Sequence, residues 1–429
     1  MKKGFKVCII SLLVLILVMT ACRSGKNENS SGDRTTIRYS TLANGRDANA
    51  IKELVDHAMS GNPDINIEFE PVVGDWWDLN QKYVSQIAAG DPPDIIRHAE
   101  SFMTLLSTND YAVDLGPRIK TLDMSNYYEN TFSRYAGKQI MVPVGIYSQA
   151  LFYNRDMFEK AGVPEPRGYD NPWTFDEFRA AAKALTGGSG TSRVYGFAIP
   201  FDPAKWSGFL WGNGGDFHDA DGKPVFNSPR FKETCQFLVD LIQVDDSMAS
   251  PANAQAISPW DLFESGRCAM IITGQWDLVN VKAITDFKTG VAASPYNPKN
   301  PGAAPGEPMF LDGYCISKGS KFEEQAWKVI LSFVDEEASA INIKNGVFGW
   351  PSNRNYAEAH QAELFTPPID PDQVDALMGL AYTHNWPALP NWTETEQSIR
   401  RYFELMTLGE ISVNDACESI QAENVKFYQ

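Results

Sequence analysis

The 429-residue chain holds only five histidines, none at ligand spacing, and its six cysteines include no C-x-x-C pair. It contains no G-x-S-x-G, no H-E-x-x-H and no Walker loop, so nothing points to a nucleophilic hydrolase, a zinc site or a nucleotide cofactor. Cations are also short: 37 Lys and Arg against 54 Asp and Glu leave a net charge of -17. Nucleic acid and anionic lipid surfaces need a basic footprint, and this balance excludes both as the main ligand. No apolar run is long. The longest, Val7 to Thr20, falls short of the roughly 20 residues that cross about 30 Å of hydrocarbon. No repeat of 20 to 50 residues is present, which argues against solenoids and propellers.

What is present begins at the start of the chain. Lys2, Lys3 and Lys6, the short apolar run and the box Val18-Met19-Thr20-Ala21-Cys22 look like a bacterial lipoprotein signal. A short transmembrane anchor is the competing reading, and Met19 stands where such boxes usually carry Leu. Cleavage before Cys22 would remove residues 1–21, put a lipid on Cys22 and shift the net charge from -17 to -20, because three lysines and no acids are lost. Residues 22–35 are polar and rich in Ser, Gly and Asn, a flexible tether. Of the remaining cysteines, Cys235, Cys268, Cys315 and Cys417 read as buried thiols. One disulfide is the alternative, since an oxidising compartment permits it and spacing does not assign it.

The body reads as alternating α and β elements. Thr36 to Leu42 alternates as a strand, and Ala48 to Met59 puts Ile51, Leu54, Val55 and Ala58 on one helical face. Ile65 to Phe69, a helix from about Trp76 to Ala89, and Asp94 to Ile96 follow, so a parallel sheet with its loops at the strand C-termini is expected. Thr174 with Glu177 forms a capping box. A further helix is expected from Pro229 to Val244, after a turn at Asp219 to Gly222. That turn superficially suggests a calcium loop, but Ser228 stands where an EF-hand needs Glu, and a hairpin is the better reading. Glu323 to Asp335 is amphipathic. At about 400 residues after cleavage, two lobes are expected rather than one core.

Seven segments in order carry a resemblance. They are Asn62-Pro63-Asp64-Ile65, Gln86 to Ile95, Ala150 to Pro164 (Ala-Leu-Phe-Tyr-Asn-Arg-Asp-Met-Phe-Glu-Lys-Ala-Gly-Val-Pro), Trp173 to Phe178, Phe209 to Asp216, Phe263 to Ile272, and Gly274-Gln275-Trp276. Together the chain from about Thr36 to Asn424 resembles the family 1 extracellular solute-binding proteins of ABC importers, the sugar-binding, maltose-binding-protein-like group. The resemblance implies an α/β, two-lobe periplasmic-binding-protein-like (type II) clamp with three interlobe crossovers, near 145–150, 290–296 and 346–351. Lobe one would then be 36–145 plus 297–350, and lobe two 146–296 plus 351–429. It further implies a carbohydrate ligand, an oligosaccharide, delivered to separate ABC permease subunits with their ATPase, by a lipid-anchored monomer at the cell surface or in the periplasm, with no cofactor and no catalysis.

The resemblance also nominates a site. Trp276, after the strand Ala269 to Thr273, would stack on the sugar, and Tyr147 would contact it from the first crossover. His98, Glu100 and Ser101 follow a strand end, with Glu100 as a hydroxyl acceptor and a structural histidine as the alternative for His98. Asn44 and Arg46 lie in the first strand–helix loop, where Asn44 or Asp47 serves equally well as a helix cap. Trp76 and Trp77 face about 100° apart, so one is expected inside and the other beside the cleft. Trp211, Asp312, Gly313, Trp350 and Arg354 complete the candidates. Arg46 and Arg354 admit an acidic sugar, unless Asp47 or Glu358 pairs with them. Two readings of other classes stand beside this one: a secreted polysaccharide-active enzyme, whose carboxylate pair a sequence does not reveal, and a sugar receptor for a signalling system.

Overall fold

The computed structural model describes residues 34–428 apart from 44–46, 75, 129–130, 251–256, 346–348, 361–382 and 388–390. The signal, Cys22, nearly all of the tether, Asn44 and Arg46 therefore lie outside the described residues. The chain starts with strand β1 (Thr35–Leu42), helix α1 (Asp47–Gly61), β2 (Ile65–Val72), α2 (Trp76–Ala88) and β3 (Ile95–Ala99). β1 runs parallel to both β2 and β3, the arrangement that two helical crossovers impose. Strand β4 (Val142–Asn154) is buried along its whole length. After it come α3 (Arg155–Ala161), α4 (Phe175–Ala184), β5 (Tyr195–Ala198), α5 (Pro203–Gly212), α6 (Pro229–Gln243), β6 (Cys268–Gly274) and β7 (Thr289–Ala292). The chain closes with β8 (Glu307–Ile316), α7 (Glu323–Phe333), α8 (Glu336–Asn345), β9 (Trp350–Pro351), α9 (Arg354–Ala359), β10 (Thr383–Asn385), α10 (Trp392–Leu408) and α11 (Val413–Asn424).

The described strands form one sheet in the order β2-β1-β3-β8-β4-β6-β5, with β7 and β9 also on β4 and β10 on β8. β4 joins its two halves. Val142 to Ser148 pair antiparallel with β8, whereas Gln149 to Asn154 pair with β6 and β7. Each half has its own core. In the first, Ile51, Leu54, Val55 and Ala58 of α1 meet Ile37, Ile67, Ile330 and Phe333, so the face read from the 3.6-residue period is the buried one. In the second, Phe178 packs edge-on to Phe197 (4.9 Å) and Phe209 (5.4 Å), and Trp206 stacks on Phe403 at 5.2 Å.

The local signals act as their chemistry requires. Thr174 Oγ1 accepts from the Glu177 amide while Glu177 accepts from the Thr174 amide, which satisfies two free donors at the start of α4. Asp219 uses its carboxylate to accept from the Asp221 and Lys223 amides (3.0 and 2.8 Å), closing a hairpin turn. The second passage between the halves falls later than 290–296. Asn297 and Asn300 donate to Asn213 Oδ1 after α5, so 297–306 stays with the second half and β8 itself carries the chain across. Likewise β9 and α9 remain with the first half, where Trp350 donates to Tyr128 and Asn355 to Asn126.

Phe178 is fully buried among aromatic rings, so Phe178→Ala opens a cavity and should lower unfolding free energy by about 3–5 kcal/mol, read as a lower urea midpoint at unchanged slope.

Candidate ligand-binding cavity

The floor is built where β3, β8 and β4 lie side by side in the sheet. Ala99 of β3 and Gly145 of β4 both pair with Asp312 of β8, and Tyr147 pairs with Phe310. Period-two alternation therefore puts Arg97, Tyr147, Phe310 and Asp312 on one face of the sheet. Arg97 Nε donates to Asp312 Oδ2 at 2.8 Å, a second guanidinium nitrogen reaches the same oxygen, and Arg97 also donates to the Tyr147 hydroxyl at 3.2 Å. Burial opposes the Arg97 charge, but the Asp312 carboxylate more than restores it and holds the guanidinium well above its ordinary value. Asp312 Oδ1 is buried without a partner among the described residues.

Above this floor lies a cavity of about 570 Å³ with walls from both halves. Trp76 and Trp77 of α2 and the turn Glu100–Phe102 form one side. Asp202 and Lys205 of α5, Trp276 and Asp277 after β6, Trp386, and Glu396 and Arg400 of α10 form the other. Both Trp76 and Trp77 are half-buried and both line the cavity, which corrects the expectation that one of them lies inside. Trp76 rests on the His98 ring at 5.7 Å, and Trp77 meets Phe102 edge-on at 5.1 Å. One end of the α2 first turn therefore presents two indoles side by side.

Trp276 follows β6 through a glycine, and the reason is steric. A Cβ on Gly274 would lie 2.3 Å from the Trp276 ring, which folds back over the glycine. The indole is framed by Phe310 at 6.0 Å and Tyr147 at 6.3 Å, and the Lys205 ammonium sits 4.2 Å above its centroid. No salt bridge within 4 Å reaches Lys205 among the described residues, and its counterparts are that cation–π contact and the charges of Asp202 and Asp277. Burial pushes the Lys205 amine down. Arg400 donates to Asp202 at 2.5 Å, and Asn280 donates to Asp277 at 2.8 Å. Glu396 is pushed up to about 8 by burial, with the Asp202 charge adding to the shift.

Glu100 is the most buried carboxyl of the side walls. Its Oε1 accepts from the Tyr135 hydroxyl at 3.1 Å, its Oε2 has no partner among the described residues, and burial raises it to about 8.

Of the residues nominated by sequence, Trp276, Tyr147, Glu100, Ser101, Trp76 and Asp312 line this cavity. The others do not. His98 points to the opposite face of β3 from Arg97, fully buried beneath Trp76. Its Nδ1 accepts from the Ala99 amide, and burial keeps the ring neutral with a pKa near 3. Gly313 is pressed against the Val142 carbonyl. Trp211 is core, stacked on His384 at 4.5 Å and donating to Asp216. Trp350 is buried on Tyr128, and Arg354 is tied to Glu358 at 2.8 Å, which removes its support for an acidic sugar. Sequence reasoning missed Arg97, Phe310, Lys205, Trp386, Glu396 and Arg400. A charged residue inside the buried run Ile95 to Ala99 was the available signal for Arg97, and the two-residue spacing to Asp312 the one for Phe310. Cys235, Cys268, Cys315 and Cys417 are all buried and unbridged, away from the cavity. Among the described residues no group of His, Cys, Asp and Glu is arranged to hold a metal ion, and no helix is long and apolar enough to cross a membrane.

Two α/β halves around a walled cavity, joined by shared strands, define a two-lobe binding protein. The chain belongs to the bacterial extracellular solute-binding proteins, whose family model matches residues 43–338. It is similar to the ABC substrate-binding protein of Listeria monocytogenes solved in complex with cycloalternan. That likeness has a TM-score of 0.81 and 27% identity, and covers 92% of this chain and 98% of the other. A binding protein of Brucella abortus (strain 2308) is 25% identical over 391 residues, 89% of this chain and 90% of its own length. The arabinooligosaccharide-binding protein of Bacillus subtilis (strain 168) is 25% identical over 301 residues, 68% of this chain and 67% of its own. The fold is the two-lobe α/β fold of these proteins.

Two substitutions test the architecture of the cavity. Gly274→Ala should force the Trp276 indole off its seat and alter its fluorescence while unfolding remains cooperative. Arg97→Met leaves the Asp312 carboxyl buried and unpaired, and it should cost about 3–5 kcal/mol of stability in urea unfolding.

Proposed function

We propose that this protein captures a neutral oligosaccharide in the cavity and delivers it to the membrane permease of an ABC importer. The observation that carries this reading is the lining. Trp76, Trp77, Trp276 and Trp386, with Tyr147 and Phe310, alternate with hydrogen-bonding groups at Glu100, Asp312, Asn280 and Lys205 in one space of about 570 Å³. Sugar rings present apolar C–H faces edged by hydroxyls, and aromatic platforms beside planar polar groups answer both. The likeness to a cycloalternan-bound protein and to an arabinooligosaccharide-binding protein supports the same ligand class. Glu100, Ser101, Tyr147, Trp76, Trp276 and Asp312 are the contacts in this reading. The first lobe is 36–145 with β8, α7, α8, β9 and α9, and the rest of the body is the second. In the cell the chain is a monomer without cofactor or catalysis, held at the surface or in the periplasm by a lipid on Cys22 after residues 1–21 are removed. The permease and its ATPase are separate chains that read closure.

A thermal-shift screen of the chain from Arg23 onward against cycloalternan, arabinotriose, maltotriose and mannobiose tests this. Ligand at a hundredfold excess over its Kd adds about 2.7 kcal/mol. A shift that is lost in Trp276→Ala, with the glycan recovered unchanged, is the expected result. No shift with any glycan would overturn the carbohydrate reading, and conversion of a glycan to products would make the protein an enzyme.

A further inference from the structure

Glu100 occupies an unusual position for a polar group. It is 4% exposed, its Oε1 is engaged by the Tyr135 hydroxyl, and its Oε2 has no hydrogen-bond partner among the described residues although the residue lines the cavity. A carboxylate left in such a place lacks the cation or the several N–H donors that ordinarily stabilise buried negative charge. The groups around it do not supply one. On β3, His98 is neutral and Arg97 is committed to Asp312 and Tyr147. On β8, Asp312 is committed to Arg97, the Cys315 thiol is pushed up by burial, and the Leu311 backbone amide is too weak a counterpart to offset desolvation. Tyr135 holds its proton, because burial and Glu100 itself raise it. On α10 across the cavity, Glu396 is itself raised and Arg400 is bound to Asp202.

We propose that Glu100 meets the ligand as a neutral carboxylic acid, its Oε2–H donating to an acceptor oxygen of the bound saccharide, so that capture requires this one proton. The inference rests on the carbohydrate reading for the identity of the acceptor, but not for the state of the acid. Oε1 accepts from Tyr135 and Oε2–H donates to the ligand, so both oxygens are satisfied without a buried charge, which a carboxylate at this site would not achieve. A ligand oxygen that offers only lone pairs, such as a ring or glycosidic oxygen, then finds a donor on the cavity wall. Protons are bound more tightly in the complex than in the free protein, so affinity is constant while the free acid is protonated and falls once the pH passes its raised pKa, about 8.

Two measurements on the whole chain from Arg23 onward decide it. The first uses no ligand: the infrared difference spectrum of wild type minus Glu100→Gln at pH 6.5 should contain a protonated-carboxyl C=O band that vanishes as the pH is raised beyond about 8. A carboxylate band at pH 6.5 overturns the proposal. The second titrates cycloalternan, arabinotriose, maltotriose and mannobiose by calorimetry at several pH values from about 6 to 10. The Kd of the glycan that binds should stay level up to about 8 and then rise by about tenfold per pH unit. In Glu100→Gln, whose amide donates at every pH, this rise should be lost, apart from any step that Glu396→Gln also removes. Wild-type affinity that is flat or improves above 8 overturns the proposal. If no glycan binds while the acid band is present, the carbohydrate reading fails and the neutral acid stands.

Discussion

The Arg97–Asp312 pair is the constraint on which the cavity depends. Both residues are nearly fully buried, and taking either charge out of water costs several kcal/mol. The pair persists because Arg97 reaches across from β3 to β8 and at the same time to Tyr147 on β4, so one guanidinium binds the three strands that make the floor. Tyr39 and Tyr314 stand behind it at 5.9 Å from one another and close the network against solvent. An apolar replacement would stabilise the sheet equally well or better. What it would not provide is Asp312 Oδ1, an acceptor held at the cavity floor with no hydrogen-bond partner among the described residues.

The same strands explain how such a floor serves a clamp. β4 and β8 run unbroken from one half of the sheet into the other, so the residues between them, Tyr147, Phe310 and Asp312, are fixed relative to each other in any arrangement of the halves. The walls are different. Trp76, Trp77 and Glu100 belong to the first half, and Lys205, Trp276, Trp386 and Glu396 to the second. A ligand that touches both walls has differential affinity for the arrangement in which they approach, which is all that selecting a closed state requires. Trp76 stands against His98, Trp77 against Phe102 and Trp276 over Gly274, so each of these indoles is backed by its own half while lining the cavity.

Much of this was legible before the structure. The period-two and period-3.6 patterns marked β1, α1, β2 and α2 within a few residues, since each is a one-sided amphipathic element whose buried face is local information. Gly274-Gln275-Trp276 was legible as a unit, and the steric reason is now visible in the ring folded over the glycine. What sequence did not show is which residues of distant segments share a wall. Glu396, Arg400 and Trp386 reach the cavity only because the chain returns to β10 beside β8 and continues into α10. Trp211 and Trp350 misled for the complementary reason: an indole beside a strand end is as useful to a core as to a ligand, and only tertiary packing on His384 or Tyr128 decides. His98 was lost to alternation, for a one-residue step along β3 carries a side chain from the cavity to the opposite face.

The electrostatics of the cavity run against those of the molecule. The protein as a whole carries a large excess of acid, yet most charges in the cavity are either paired or driven toward neutrality, Asp277, held by Thr273 and Asn280, being the exception. Arg97 is matched by Asp312 and Arg400 by Asp202, burial raises Glu100 and Glu396, and burial lowers Lys205. A carboxylate-bearing ligand would find its best cation, Arg97, already engaged, and Lys205 shared between the Trp276 face and the field of Asp202 and Asp277. A neutral, hydroxyl-rich ligand meets none of these obstacles. Its donors are offered Asp312 Oδ1 and its acceptors Lys205, while its apolar faces are offered the indoles. The negative exterior and the near-neutral interior are therefore independent features: the first bears on solubility and on encounters with other surfaces, and the second on what the protein holds.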